Sequence, residues 1–476
     1  MKRIIIILII ILPLSGCENL LDEEVFSRFG ASNFYKTEAD AVALLNAAYS
    51  TWADYSTIHR EWLNCGEGTT DIFFETGGGI YTHMQPVQDF VWDAGNSYMS
   101  SMWNRFYKGI FYTNVVIDHV PSIDMNEEKR AQMVAEARFL RAWNYYHLYD
   151  LWGPVPLLTT SNTAPQDRPA RATKEEMLEF LEEELIAASE GLPLTQDEFP
   201  RATKGAALGY LARFYLNQKR WEETAETAQL IINSQVYDLF VGDTSRAELF
   251  EVKNERDNEF IYVVPYSFSG MANQYSSHAA PPNFQFKYPP HINYAAQFRI
   301  RDAFLNTFDP NDQRLDAFLF SYLNTSGQTI ILGTDNKRSF KFPEDPNQVG
   351  GGQSNDFPLL RFADILLMRA EALNEIDGPT QEALSLIDSV RHVAGLGSLN
   401  LADFPDKASL RDHILKERGW EFHTEALRRT DLIRHGKFIE QAVARGKPAQ
   451  EHHLLFPIPL REMQTNENIV QNIGYD

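Results

Sequence analysis

Two segments of the chain concentrate aromatic rings beside side chains that form hydrogen bonds. Sugar rings present C–H groups that pack on aromatic faces, and their hydroxyls bond to carboxylates, amides and imidazoles. The segments lie near residues 65–100 and 265–300, and we predict that both form ligand-binding loops. The candidate ligand-binding residues are Asp71, Tyr81, Trp92 and Asn96 in the first segment and Phe284, Phe286, Tyr288 and His291 in the second.

Among these rings, we expect Trp92 to contribute most to binding, followed by Tyr81, Tyr288 and Phe286. An alternative interpretation stays open for each of them. Long loops need small cores of their own, so the rings also suit packing of the loops onto the body of the protein.

The sequence contains none of the common catalytic signatures: no zinc-protease histidine pair, phosphate-binding glycine loop, nucleophile elbow or dinucleotide fingerprint. His452 and His453 are adjacent, and neighbouring side chains point apart, which disfavours shared metal ligation. His423 lies among charged residues typical of a structural ion-pair network. We therefore predict no catalytic residue, metal or cofactor. The 65 acidic residues still permit carboxylate pairs of the glycosidase type, so hydrolysis remains an alternative.

The N-terminus reads as an export signal. Lys2 and Arg3 precede an apolar run over residues 4–12, which is too short to span a bilayer. The run leads to Leu14-Ser15-Gly16-Cys17, the pattern of a bacterial lipoprotein processing site. We predict a signal peptide over residues 1–16, a lipid anchor on Cys17, an acidic tether over 17–30 and a single domain over 31–476.

Composition excludes several classes of partner. With 44% hydrophobic and 23% charged residues the chain is expected to fold, and its 65 acidic and 43 basic residues give a net charge of −22. Nucleic acid and anionic membrane surfaces are therefore repelled as primary ligands. The chain has two cysteines, too few for a disulfide framework.

Most of the chain has the 3.6-residue periodicity of helices. The predicted helices are Glu38–Trp52, Met102–His119, Glu128–Leu151, Lys174–Glu190, Lys204–Asn217, Trp221–Ser234, Phe362–Asn374, Thr380–His392, Leu410–Phe422 and Glu425–His435. Residues 212–231 and 370–390 have spacings similar to tetratricopeptide helix pairs. Phe260–Tyr266 alternates like a strand, whereas Thr70–Trp92, Ser267–Tyr294 and Gly350–Gly352 are predicted loops. The prediction is a mainly α fold of irregular tetratricopeptide-like helix pairs with long loop-rich insertions.

Four stretches together resemble the SusD/RagB family of outer-membrane nutrient-binding lipoproteins. They occur in the family's order along the chain: Ala135–Tyr146 with Leu151–Leu157, Pro358–Ala372, Ile414–Phe422 with Arg429–Arg434, and Pro457–Pro459 with Glu462, Asn466 and Gln471–Tyr475. Family members often have Gly where Ala426 stands and Tyr where Phe362 stands. The loops around Tyr81 and Tyr288 match no dependable family motif, so the resemblance identifies no ligand contact.

The resemblance implies a function at the cell surface. It implies an α-helical scaffold that captures oligosaccharides and delivers them to a SusC-like TonB-dependent outer-membrane transporter. The acidic tether resembles the surface-export signal of Bacteroidota lipoproteins, which implies an outer-membrane protein facing the cell exterior. Two alternatives stay open: a surface glycoside hydrolase, and a tetratricopeptide-type binder of a peptide or other non-glycan nutrient.

Overall fold

The computed structural model describes residues 35–51, 60–79, 81–164, 166–294 and 296–475. Cys17 and the acidic tether therefore lie outside the described residues. The helices are α1 Glu38–Ser50, α2 Leu63–Glu67, α3 Tyr81–Gln88, α4 Ser97–His119, α5 Glu127–Trp152, α6 Lys174–Gly191, α7 Lys204–Asn217, α8 Trp221–Ser234, α9 Tyr275–Ala279, α10 Asp302–Leu305, α11 Phe362–Asp377, α12 Gln381–Val393, α13 Lys407–Phe422, α14 Arg428–Arg434, α15 Phe438–Ala444 and α16 Leu460–Thr465. The strands are β1 Phe73–Glu75, β2 Phe260–Val264, β3 Phe298–Ile300, β4 Phe318–Leu319, β5 Ser321–Leu323, β6 Thr329–Ile331, β7 Arg338–Ser339 and β8 Phe357–Arg361.

The predicted mainly α fold is confirmed, and most of the long helices begin at side-chain caps, whereas α8 and α11 do not. Thr37 and Thr173 form capping boxes with the acidic residue three positions later, which satisfies the free N–H groups of the first turn. Asn126 caps α5, and Gly153 ends it with a φ of 73°, a conformation that glycine adopts without strain. Among the described helices, none combines the length and apolar character needed to cross a membrane.

The long helices pack in an ordered series. From α4 to α7, each helix contacts the next helix in sequence. Helix α8 then packs against α11, and α11 in turn contacts α12 and α13. The two tetratricopeptide-like pairs, α7–α8 and α11–α12, are therefore neighbours in space although more than a hundred residues separate them. Between them, the chain leaves the helical scaffold to form an insertion over residues 235–361.

Helix α5 is central to the scaffold. Trp143 is buried, and its indole N–H donates to the Tyr210 hydroxyl of α7 at 2.7 Å. On another face, Arg138 and Arg141 both donate to Glu184 of α6, at 2.8–3.0 Å. These contacts explain why the helix is apolar or paired nearly all round its circumference.

The strands form small antiparallel pairs, β1 with β3, β2 with β8, β4 with β7 and β5 with β6. Of the eight strands in the described residues, seven belong to the insertion, and β1 joins them from the N-terminal region. A bridge between Ile300 and Lys337 links β3 to β7, so that β1, β3, β7 and β4 lie side by side. This arrangement brings the two predicted ligand-binding segments together.

A buried ionic network holds the insertion onto the C-terminal helices. Arg361, at the end of β8, donates to Glu259, Glu421 and Glu425, and none of these side chains is more than 3% exposed. Burial alone would raise the pKa of Glu421, but Arg246, Arg361 and Arg314 hold it well below its usual range. The structural ion-pair network predicted around His423 is confirmed.

Three local predictions differ from the structure. The predicted Ser267–Tyr294 loop contains the short helix α9. The predicted helix Glu425–His435 begins only at Arg428, because Thr424 and Ala426 adopt φ values of 66° and 63°, outside the helical region. The Thr70–Trp92 loop contains strand β1 and helix α3, although Pro86 lies inside that helix.

Candidate functional site

Aromatic side chains of the second segment meet two aromatic side chains that lie in or directly after later strands of the insertion. We call this group the aromatic loop cluster, and it comprises Phe284, Phe286, His291, Tyr322 and Phe340. The rings of Phe286 and His291 are stacked, with centroids 3.7 Å apart and an interplanar angle of 9°. Phe284 packs against Phe286, Tyr322 and Phe340 at 4.9, 5.8 and 5.3 Å. The first three members are neither fully buried nor fully exposed, as a stacking surface requires.

His291 is fixed by hydrogen bonds and uncharged. Its Nε2 lies 3.0 Å from the Ser277 hydroxyl, which donates to the carbonyl of Gly351 at 3.0 Å. Burial lowers the pKa of His291 to about 4, so the imidazole is neutral at physiological pH. Because Nε2 is bonded to Ser277 and Nδ1 is buried, the imidazole offers a ligand its neutral ring face.

Beside the cluster lies a group of exposed apolar side chains that we call the apolar rim: Phe268, Met271, Ile292, Tyr294 and Val349. Their exposed fractions run from 38% to 62%. Tyr294 approaches the backbone of the predicted glycine loop, where a Cβ at Gly351 would collide with the tyrosine hydroxyl. Gly351, which has no Cβ, therefore leaves room for the Tyr294 side chain.

A line of hydrogen bonds connects the two segments below this surface. Glu75 of β1 accepts a hydrogen bond from the side-chain Nε2 of Gln297 at 3.1 Å. The side-chain Oε1 of Gln297 lies 2.5 Å from Nδ1 of His278. His278 in turn contacts the ring of Tyr294, with centroids 4.8 Å apart. On the other side, Glu75 accepts from Asn64 at 2.9 Å.

Burial sets the charge of these groups. It raises the pKa of Glu75 to about 8, because the carboxyl is fully buried, and lowers the pKa of His278 to about 4. Both groups are therefore uncharged at neutral pH. Glu75 and His278 therefore support the loops as neutral hydrogen-bonding groups.

Two residues predicted as ligand contacts in the first segment are buried, and a third, Asp71, is partly exposed but paired with an arginine. Trp92 is 4% exposed, is surrounded by Phe90, His453 and Phe456, and donates its indole N–H to Tyr475 at 2.7 Å. Asn96 is 9% exposed and caps helix α4. Asp71 forms two hydrogen bonds with Arg428, at 2.9 and 2.8 Å. The packing alternative describes these positions better than ligand contact.

The other five predicted residues belong to the aromatic loop cluster or lie beside the groups that support it. Tyr81 begins helix α3 and accepts a hydrogen bond from Gln88, which also accepts from the backbone N–H of Glu75. Tyr288 lies next to Phe286 in sequence, its backbone donates to Glu344, and Lys287 lies over its ring. Phe284, Phe286 and His291 form the core of the aromatic loop cluster.

Tyr322 and Phe340 were missed by sequence analysis. Both lie in short strands or directly beside them. An available sequence signal was the alternation of aromatic residues, Phe318, Phe320 and Tyr322 in one stretch and Phe340 and Phe342 in the other. The signal that places them in the site is their contact with Phe284, which arises from folding of the insertion.

Comparison with known proteins agrees with this architecture. Residues 332–475 match the family model described as "SusD family", and residues 31–216 match the model described as "Starch-binding associating with outer membrane". SusD-like protein P2 of Formosa agariphila is 25% identical over 99% of both chains. Starch-binding protein SusD of Bacteroides thetaiotaomicron is 23% identical, with 88% of this chain and 86% of that protein covered. A laminarin-binding SusD-like protein of known structure superimposes with a TM-score of 0.79, covering 93% of this chain and 100% of that one at 25% identity.

These matches and the helical scaffold define a SusD-type protein. The two family models lie at opposite ends of the chain, and the relatives extend across the insertion between them. The chain belongs to the SusD/RagB family.

Proposed function

We propose that this protein binds an oligosaccharide on the aromatic loop cluster and the apolar rim, and that it does so at the outer membrane. The stacked Phe286–His291 pair carries this proposal. It offers a flat ring surface beside a neutral imidazole, and the Tyr294 ring lies in the adjoining rim. The C–H face of a sugar ring packs on apolar ring faces, and its hydroxyls need hydrogen-bond partners.

The relatives support a glycan as the ligand class. One related protein is named for starch binding and another for laminarin binding. Starch and laminarin are both neutral glucans, with different linkages. The two names therefore support a glycan as the ligand class, and experiment must identify the glycan.

Binding without hydrolysis fits the placement of the carboxylates near the site. A glycosidase needs two carboxyl groups that can reach the scissile bond. Glu75 is fully buried with both oxygens accepting hydrogen bonds from amides, and Asp71 is paired with Arg428. We therefore propose that the protein is a binder with no catalytic residue.

The leader supports attachment to the membrane. The lipoprotein pattern ending at Cys17 suits acylation, and the matched family description includes association with the outer membrane. We propose that the anchored protein faces the cell exterior and passes its ligand to a SusC-like TonB-dependent transporter. The helical scaffold would then contact the barrel, with the aromatic loop cluster facing its lumen.

Binding is tested by titration calorimetry of the soluble domain, beginning at residue 31, against a panel of oligosaccharides that includes laminarihexaose and maltohexaose. Once a ligand is found, Phe286→Ala is expected to weaken binding by about 1–3 kcal/mol, by analogy with stacking on other flat rings. Phe111→Ala is the matched control, because Phe111 is an exposed phenylalanine on helix α4. Equal affinities of wild type and Phe286→Ala would place the binding surface elsewhere.

The transporter is tested by gentle purification of the full-length protein from native membranes. A permanent contact of more than about 2,000 Å² survives mild detergent. We expect a TonB-dependent barrel to co-purify. Recovery of the lipoprotein alone, with and without the glycan, would instead favour an independent surface binder.

A further inference from the structure

Two arginines face each other where the insertion strands meet. The bridge between Ile300 and Lys337 sets an antiparallel register in which Arg299 of β3 lies opposite Arg338 of β7. Phe74 of β1 pairs with Arg299, and Leu319 of β4 pairs with Arg338. These four residues therefore form one row across four strands.

Neither guanidinium has an acidic partner among the described residues. Arg338 is 1% exposed, and its Nε and Nη1 groups are buried without a hydrogen-bond acceptor. The Nε group of Arg299 is buried and unpaired in the same way. Arg361 shows the usual arrangement for a buried arginine, since three glutamates surround it.

This arrangement is unfavourable in the absence of an anion. Like charges directly opposite each other on neighbouring strands repel, and a buried guanidinium without acceptors loses its hydration without replacement. Burial and, as a smaller cause, the charge of Arg299 together lower the pKa of Arg338 to about 10. An anionic group between the two side chains would remove both penalties and accept the unpaired N–H groups.

The pair lies beside the proposed glycan site. Side chains two residues apart on a strand share a face, so Arg338 shares its face with Phe340 of the aromatic loop cluster. Phe340 contacts Phe284 at 5.3 Å. Arg299 is partly exposed, so a ligand reaches this arginine from solvent, whereas Arg338 opposite it is buried and is reached only through Arg299.

We propose that Arg299 and Arg338 bind the anionic group of an acidic oligosaccharide, a uronate carboxylate or a sulfate ester, whose sugar rings lie on the aromatic loop cluster. This inference rests on the proposed glycan-binding function and narrows its ligand class. The net charge of −22 repels anions from the surface as a whole. Attraction of an acidic glycan must therefore be local, and this uncompensated pair supplies it.

The test compares three hexasaccharide probes by calorimetry: an alginate hexasaccharide with carboxylates, a carrageenan hexasaccharide with sulfates, and neutral laminarihexaose. We expect one acidic probe to bind at least tenfold more tightly than laminarihexaose, and the one that does so identifies the anionic group. Arg338→Met and Arg299→Met are each expected to abolish that preference. Lys337→Met is the matched control, because Lys337 neighbours Arg338 on the opposite face and pairs with Asp302.

Thermal unfolding separates a binding role from a structural one. Because Arg338 has no acidic partner to lose among the described residues, Arg338→Met is expected to melt at or above the wild-type temperature, and the preferred acidic probe should raise the melting temperature of wild type only. A lower melting temperature of Arg338→Met together with unchanged preference for the acidic probe would show that the arginine is structural. Should Arg338→Met fail to fold, the partly exposed Arg299→Met variant carries the same test.

The two proposals fail in different ways. Preference for laminarihexaose, or an acidic preference that survives both arginine substitutions, would overturn the anion site while leaving glycan binding intact. Absence of binding to every oligosaccharide would overturn the proposed function and the anion site together.

Discussion

Arg361 and Glu425 are joined by two hydrogen bonds at the centre of the protein, from Nε to Oε2 at 3.0 Å and from Nη2 to Oε1 at 2.6 Å. Arg361 ends strand β8, and Glu425 lies in the turn between helices α13 and α14. Lys341 also donates to Glu425 from the strand-rich insertion. This pair therefore joins the insertion that carries the loops to the helical scaffold.

Glu425→Ala should strongly destabilise the fold. It leaves two buried cations with fewer acceptors, and breaking a buried ion pair in this way costs about 3–5 kcal/mol. Urea unfolding measures the loss. As a control, Lys253→Ala removes an ion pair with Glu251 in which both partners are well exposed, and should leave the free energy of unfolding nearly unchanged. Similar losses in the two variants would contradict a supporting role for the network.

Trp92 is expected to affect stability and to leave glycan affinity unchanged. Trp92→Phe keeps much of the buried ring and removes the hydrogen bond to Tyr475, which should lower the free energy of unfolding by about 1–3 kcal/mol. Affinity for a confirmed glycan should equal that of wild type at a temperature where both are folded. A clear loss of affinity, with unchanged unfolding, would return Trp92 to the binding surface.

Glu75 should make stability depend on pH. Burial raises its folded pKa to about 8, so between pH 4.5 and 8 the folded chain keeps a proton that the unfolded chain releases. The free energy of unfolding should therefore fall as pH rises through that window, by up to about 1.4 kcal/mol per pH unit from this group. Glu75→Gln should show a shallower fall. The difference between the two pH profiles isolates Glu75 from other buried acids, and identical profiles would refute the assignment.

Cys17→Ala should release the protein from the outer membrane without unfolding it. The reason is that the predicted anchor precedes the predicted domain, which we expect to begin at residue 31. Membrane fractionation followed by circular dichroism of the released chain checks both points. Cys65→Ala is the matched control and should stay membrane-bound, since Cys65 is a buried thiol inside the domain. Retention of a processed Cys17→Ala chain on the membrane would exclude acylation as the anchor.

Elements whose structure is determined by local sequence were predicted correctly. The long helices follow from apolar periodicity and caps such as Thr173, and both are visible within one stretch of sequence. Contacts between distant parts of the chain were not visible. Trp92 resembled an exposed ligand-binding ring because its partner Tyr475 lies 383 residues away. The opposition of Arg299 and Arg338 was hidden for the same reason, since it depends on pairing between very short strands that have no alternating pattern.

The ionic network around Arg361 also bears on how the chain reaches its folded state. Its members come from residues 246 to 425, so no single helix pair or hairpin contains a complete, neutralised set. An intermediate that docks β8 before α13 would bury arginines without their glutamates, which costs several kcal/mol. Partly assembled states are therefore sparsely populated, and folding of the insertion and of the C-terminal helices should occur in a single cooperative step. Such cooperativity leaves few opened forms for proteases to cut.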